Sequence, residues 1–174
     1  MIKIQEENFD VAELYDNLCQ SNKTGAVAMF VGLVRDFSNK KSEVPNRKSN
    51  KESNTKPDKR PNETDCIKDC VFELEHYPGM TEHNLQHIII EAKKRWSLQD
   101  IVIVHRVGKL KIQDQIVFVG VSSSHRAEAF LACDFIMDYL KSRAAFWKKE
   151  TQADQEGKWV SAKESDEHSL KRWQ

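Results

Sequence analysis

Lys141 and Lys148, seven positions apart in FIMDYLKSRAAFWKKE (135–150), are the first residues whose types and spacing could do chemistry. Read as one amphipathic helix, the segment puts both ammonium groups on one face, with Cα atoms ~10.5 Å apart along the axis. Ile136, Tyr139, Leu140, Phe146 and Trp147 turn to a different side, and Ala144 and Ala145 leave room beside the amines. A lysine that is partly desolvated, or close to other cations such as Arg143, Lys148 and Lys149, has a lowered pKa and serves as acid, base or nucleophile. The plain alternative is a pair of solvated surface lysines.

A second junction is SSSHR at 122–126, where an apolar strand ends in three serines and a helix begins near Ala127. Serines cap helices, and the unpaired amides of a first turn favour an anion. His125 and Arg126 oppose the helix dipole there at a cost of ~0.3–1 kcal/mol each if charged and exposed, which a bound phosphate or carboxylate reverses. The alternative is that both face solvent or a neighbouring carboxylate.

Metal chemistry finds little support. Cys66 and Cys70 form a lone C-x3-C, whereas a zinc site needs about four ligands, and the nearest histidine, His76, falls in an expected strand. His83 and His87 stand at i and i+4 without an acidic partner motif. No metal or cofactor is expected, and Cys19, Cys66, Cys70 and Cys133 are read as reduced and inert. No Ser-His-Asp set, phosphate-binding glycine loop or dinucleotide fingerprint is present.

The elements that must position these residues alternate. IKI (2–4) reads as a strand, and Asp10 caps a helix to about Gln20 with Val11, Leu14 and Leu18 inward. AVAMFVGLVR (26–35) is a strand apolar enough for burial on both faces. VFELEHY (71–77) alternates as a strand and ends at the Pro78-Gly79 turn signal. Thr81 is placed to cap a helix to about Arg95, striped by Leu85, Ile88, Ile89, Ala92 and Trp96. Strands at 101–107 and 116–121 flank a turn region, and a helix closes the series. This β-α-β, β-α-β-β-α order predicts an α+β (mixed α/β) domain.

Between the halves, residues 38–69 hold three of the four prolines, no leucine and no aromatic residue. Such a stretch cannot bury enough apolar surface to offset its ordering entropy, and it reads as a flexible charged insertion within one domain spanning 1–174. Equal numbers of basic and acidic residues, 27 of each, argue against a general nucleic-acid surface. The chain has no apolar run of about eighteen residues, and MIKIQEENFD lacks the layout of a signal peptide. A soluble, cytosolic protein without nucleic-acid or membrane partners is expected.

Taken together, LEHYPGMTE (74–82), HRVGKL (105–110), IVFVGVSSSHR (116–126), FIMDYLKSRAAFWKKE (135–150) and WVSAKESD (159–166) closely resemble the catalytic large subunit of molybdopterin synthase, the MoaE family. The motifs run in register through most of the chain, with 38–69 outside. The resemblance implies an α/β hammerhead-like domain with an added antiparallel β part. It implies sulfur transfer from the thiocarboxylated Gly-Gly terminus of a small ubiquitin-like subunit to cyclic pyranopterin monophosphate (precursor Z), forming the molybdopterin dithiolene. The implied assembly is a homodimer of large subunits within a heterotetramer.

Carried over by motif, Lys141 becomes the leading catalytic residue, with Lys148 beside it. Lys149 and Glu150 join them in lining the substrate site. His125 and Arg126 are implied to hold the substrate's anionic end, and Arg35 to stand where the small subunit's tail enters. For His105 and Arg106 the alternatives are a contribution across or beside the pocket, or support of the fold alone. Family members often carry proline at the position of Ala145, which implies a helix ending before Phe146. This chain ends in KRWQ rather than Gly-Gly, so it is not the sulfur carrier. A non-catalytic adaptor that binds the small subunit is the alternative, with a nucleic-acid binder using the insertion behind it.

Overall fold

The computed structural model describes residues 1–36, 71–151, 158–160 and 168–173. The 38–69 insertion, with Cys66 and Cys70, and positions 161–166 of WVSAKESD lie outside the described residues. The first half forms strand β1 (Ile2–Gln5), helix α1 (Val11–Leu18) and strand β2 (Ala26–Leu33). After the insertion come β3 (Val71–His76), α2 (Met80–Arg95), β4 (Leu98–Arg106), β5 (Gly108–Leu110), β6 (Gln115–Ser123), α3 (Arg126–Arg143), β7 (Phe146–Thr151) and β8 (Lys158–Val160). A 3₁₀ turn spans Lys171–Trp173. This is the expected α+β class.

One sheet has the order β1-β4-β6-β2, parallel only between β1 and β4. Its central strands carry unbroken apolar runs at 101–104 and 116–121 because both faces are covered there. Ile101, Ile103, Val119 and Val121 pack with Leu85, Ile89, Phe135 and Ile136 of α2 and α3. Val102, Val104 and Phe118 pack with Phe9, Leu14 and Leu18 of and beside α1. Asp10 caps α1 as expected, accepting from the amides of Ala12 at 2.7 Å and Glu13 at 3.4 Å. The second sheet, β5-β3-β7-β8, is antiparallel throughout.

The strand at 26–35 is not buried on both faces. β2 is an edge strand ending at Leu33, and Met29, Phe30 and Leu33 stay 40–53% exposed in the single chain. Thr81 does not cap α2. The amide of Gly79, whose φ is 85°, instead donates to Glu82 Oε2 at 2.6 Å, and Thr81 lies buried in the first turn. Its hydroxyl oxygen lies 3.1 Å from the carbonyl of Tyr77 and 3.3 Å from that of Ala145, and so ties the start of α2 to the far end of α3.

The largest departure is at 144–150. α3 ends at Arg143, Ala145 takes φ 50°, and Phe146–Thr151 pair with β3 instead of continuing the helix. Asn84 of α2 donates to the carbonyl of Arg143 at 3.0 Å, giving one of the helix's terminal acceptors a partner. The ladder to β3 then outweighs the local helical pattern.

The chain's end fastens α3 from outside. Arg172 bonds Asp138 at 2.6 Å and Asp134 at 2.8 Å, and Trp173 Nε1 donates to Asp138 at 2.7 Å. The Trp173 ring meets Trp96 and Phe135 edge-on.

Gly120 on β6 sits under α1, where an added Cβ would collide with Leu18 Cδ1 and stand 2.7 Å from Phe118 Cε1. Both side chains are fully buried and have nowhere to move. Gly120→Ala is therefore expected to destabilise the fold by about 1–3 kcal/mol. Thermal unfolding checks this, and an unchanged midpoint would show that α1 sits less closely on the sheet.

Candidate functional site

A cavity of about 420 Å³ opens where the two sheets meet the C-terminal end of α3. Three cations reach it from separate elements. Arg35 follows β2, Lys141 lies on the last turn of α3, and Lys148 lies on β7. Arg35 is held by its neighbour Val34, which is buried and bonded both ways to the 111–114 turn, donating to Asp114 O at 2.9 Å and accepting from Gln113 at 2.7 Å. Lys141 shares its helix face with Met137, four residues earlier, and both line the cavity.

The strand period sorts the β7 residues. Lys148 and Glu150 point to the cavity, whereas Lys149 turns to the opposite face, its ammonium 5.5 Å from the Trp159 ring on β8. Lys148 Nζ lies 2.6 Å from Glu150 Oε1 and 4.9 Å from the Phe72 ring. Lys141 and Arg35 have no ion-pair partner among the described residues. Three cations against one carboxylate leave the cavity positive, beside walls made by Phe72, Leu74, Val117 and Leu140. Positive charge next to apolar surface favours an anionic ligand with a flat or apolar body.

The helical face that the sequence pattern drew through Lys141 and Lys148 therefore does not exist. The turn at Ala144–Ala145 brings the two amines to the same cavity by reversing the chain.

His125 and Arg126 are exposed at the opposite end of α3. Fifteen residues of helix separate Arg126 from Lys141, a rise of ~22 Å, so one chain does not bring them together. His125 occupies the N-cap position without a side-chain capping bond. Ser122 serves the sheet, whereas Ser123 also reaches the helix start, where its Oγ accepts from the His125 amide at 3.4 Å. Ser122 Oγ accepts from the Asp100 amide at 3.0 Å, and Ser123 Oγ lies 2.7 Å from Glu128 and 3.0 Å from the Ser97 carbonyl. The first-turn amides of α3 gain no serine cap.

His105 and Arg106 part company. Arg106 supports the fold, donating to the carbonyls of Glu6 at 3.0 Å and Gln115 at 3.1 Å. His105 lines the cavity, only 8% exposed, stacked on Phe146 with centroids 3.8 Å apart and planes 16° apart. Burial, with His76 nearby, pushes its pKa down to about 4, against the partial support of the Arg106 carbonyl. The apolar wall escaped the motif reading because its residues come from β3, β6 and α3 and are ordinary core types.

Among the described residues, no group of histidine, cysteine and acidic side chains could hold a metal, and no helix is long and apolar enough to cross a membrane. Cys133 is buried against the Val119 carbonyl, and burial pushes its thiol up to about 11.

Comparison with known proteins gives a consistent result. The family model described as "MoaE protein" matches residues 4–48 and 63–143; the gap between them, 49–62, is shorter than the 38–69 insertion, and the match ends before 144–174. A molybdopterin synthase catalytic subunit from Ralstonia nicotianae is 46% identical over 99% of this chain and 83% of its own length. The subunit of the same name from Escherichia coli is 41% identical over 99% of this chain and 97% of its own. Among solved structures, molybdopterin cofactor biosynthesis protein E from Burkholderia multivorans has a TM-score of 0.73 at 40% identity, covering 99% of this chain and 95% of that one. Molybdopterin synthase from Staphylococcus aureus has a TM-score of 0.71 at 27% identity, covering 91% and 96%.

The buried neutral His105 carries a pH signature. Between pH 6.5 and 4 an unfolded chain takes up a proton that the folded chain refuses, so stability falls as pH drops through that window. The loss is complete below about pH 4 and amounts to ~3 kcal/mol. Urea unfolding of wild type and His105→Phe at pH 7 and pH 4.5 should show a shallower acid loss in the variant. Equal slopes would mean that His105 titrates normally.

Proposed function

The chain belongs to the MoaE protein family, and on that premise we propose that the cavity of Arg35, Lys141 and Lys148 is where sulfur passes to a pterin phosphate. Membership makes the chain a catalytic, sulfur-transferring subunit in molybdopterin synthesis. The observation behind the site assignment is the convergence of three cations from three elements on one apolar-walled cavity.

In this reading the thiocarboxylated tail of a small ubiquitin-like subunit enters past Arg35. The exposed Phe30 and Leu33 form an apolar rim that a docked partner would cover. Lys141, without an ion-pair partner among the described residues, neutralises the thiocarboxylate and supplies or removes a proton as sulfur attacks the pterin side chain. Lys148, balanced by Glu150, holds its place until an anion competes for it. The sulfur arrives on the partner, so no cysteine of this chain is needed. Lys149 is a weaker participant, since its amine faces Trp159. The exposed free thiol of Cys19 fits a reducing compartment such as the cytosol.

His125 and Arg126 complete the site only if a second copy supplies them. A homodimer that lays the start of one α3 against the other chain's cavity would place an anion-binding helix end opposite Lys141 and Lys148. The assembly is then a pair of large subunits with a small subunit at each end.

Lys141→Ala is expected to fold and dimerise while losing at least a hundredfold in dithiolene formation. The assay mixes the variant with thiocarboxylated small subunit and cyclic pyranopterin monophosphate and reads product by mass spectrometry. Near-normal turnover would remove Lys141 from the mechanism. A wild-type chain that binds the small subunit yet yields no product would be an adaptor instead. Site sharing has its own test. Lys141→Ala and Arg126→Ala chains, each inactive alone, should recover about a quarter of wild-type activity when co-folded, because half the dimers are mixed and each holds one intact site. No recovery would place every site within one chain.

A further inference from the structure

We propose that His105 recognises the heterocycle of the substrate, its Nε2 accepting a hydrogen bond from an N–H donor of the pterin ring, as a positioning and specificity residue for the sulfur transfer. This rests on the reading of the cavity as the pterin site and goes beyond the charged residues that define it.

Four observations lead there. His105 lines the cavity wall. Its Nδ1 lies 2.8 Å from the backbone carbonyl of Arg106, which can only accept, so Nδ1 carries the hydrogen and Nε2 carries the lone pair. Nε2 makes no hydrogen bond among the described residues and is not one of their fully enclosed unpaired polar atoms, so it stays reachable although the residue is 8% exposed. The ring is also held in place by its stack on Phe146, the first residue of β7, so the acceptor direction is fixed in advance.

The chemistry of the candidate ligand groups then decides what Nε2 meets. Phosphate and thiocarboxylate offer acceptors, which a neutral lone pair repels, and Arg35, Lys141 and Lys148 already face the cavity to bind them. Burial also keeps His105 uncharged at neutral pH, so it adds nothing to anion binding. A pterin ring offers N–H and amino donors on a flat body that suits the walls of Phe72, Leu74 and Val117. A site that pairs a buried acceptor with such a donor rejects analogues lacking it, because the acceptor is then left unpaired.

The test uses the purified homodimer and four probes: cyclic pyranopterin monophosphate, an uncharged pterin, inorganic phosphate and the small subunit. His105→Phe keeps the stack on Phe146 and removes the acceptor. It should weaken both pterin probes by roughly tenfold while leaving phosphate and small-subunit affinities within about twofold. In turnover, KM for the pterin rises while KM for the small subunit stays. His105→Gln, whose amide oxygen can occupy the place of Nε2, should recover most of the lost affinity, which a merely structural role would not predict. If phenylalanine prevents folding, His105→Leu serves the same comparison.

Unchanged pterin affinity in the acceptor-free variant overturns the assignment, and so does a loss confined to the small subunit, which would mean that Nε2 meets the tail's peptide N–H. A wild-type dimer that binds phosphate but neither pterin probe would instead overturn the pterin reading of the cavity, and His105's role with it.

Discussion

The structure depends on a competition at Ala144–Ala145. A sequence that could continue α3 instead leaves it, because β3 offers 146–151 a full antiparallel ladder and α2 offers the helix end its hydrogen-bond partners. A left-handed φ at a residue with a Cβ costs of order 1 kcal/mol, small beside six paired strand positions. Everything at the cavity follows from that reversal. It brings Lys148 back toward Lys141, directs Glu150 inward beside it and seats Phe146 on His105.

That competition also marks where sequence reasoning stops. The amphipathic stripe of α2, the capping of α1 by Asp10 and the run of buried residues in β4 and β6 were legible, because each rests on local periodicity or a local bond. β7 was not. Its alternation of Phe146, Lys148 and Glu150 is too short to beat a helical pattern without the β3 partner lying far away in sequence. Thr81 misled for a similar reason, since a hydroxyl near a helix start looks like a cap until a carbonyl 64 residues away is seen to claim it. The candidate site residues came from family resemblance more than from geometry. The lysine pair does meet at one cavity, through a chain reversal rather than along one helical face.

The cavity's electrostatics divide labour in a way that composition could not show. Positive charge is supplied by Arg35 and Lys141 at element ends and by Lys148 within β7, long side chains that can keep some contact with water so that the desolvation cost stays moderate. The neutral acceptor, His105, occupies the more buried position, 8% exposed, where a charge would be expensive. Glu150, with a side chain 11% exposed, pairs with Lys148 2.6 Å away, which offsets part of the cost of burying its charge. An incoming anion that takes Lys148 must therefore overcome Glu150. This gives the site a threshold against weakly held anions without any moving part.

The length of α3 supplies the remaining constraint. A rigid helix with its cationic start ~22 Å from its cationic end cannot bend both onto one small substrate. The fastening of its outer face by Arg172 and Trp173, and of its inner face by the core, leaves no slack for a hinge. If both ends serve the same reaction, symmetry rather than flexibility must join them, since a two-fold axis meets that need by pairing the start of each helix with the end of the other. Under that pairing each end of the helix would be half a site, and catalytic competence would be a property of the dimer.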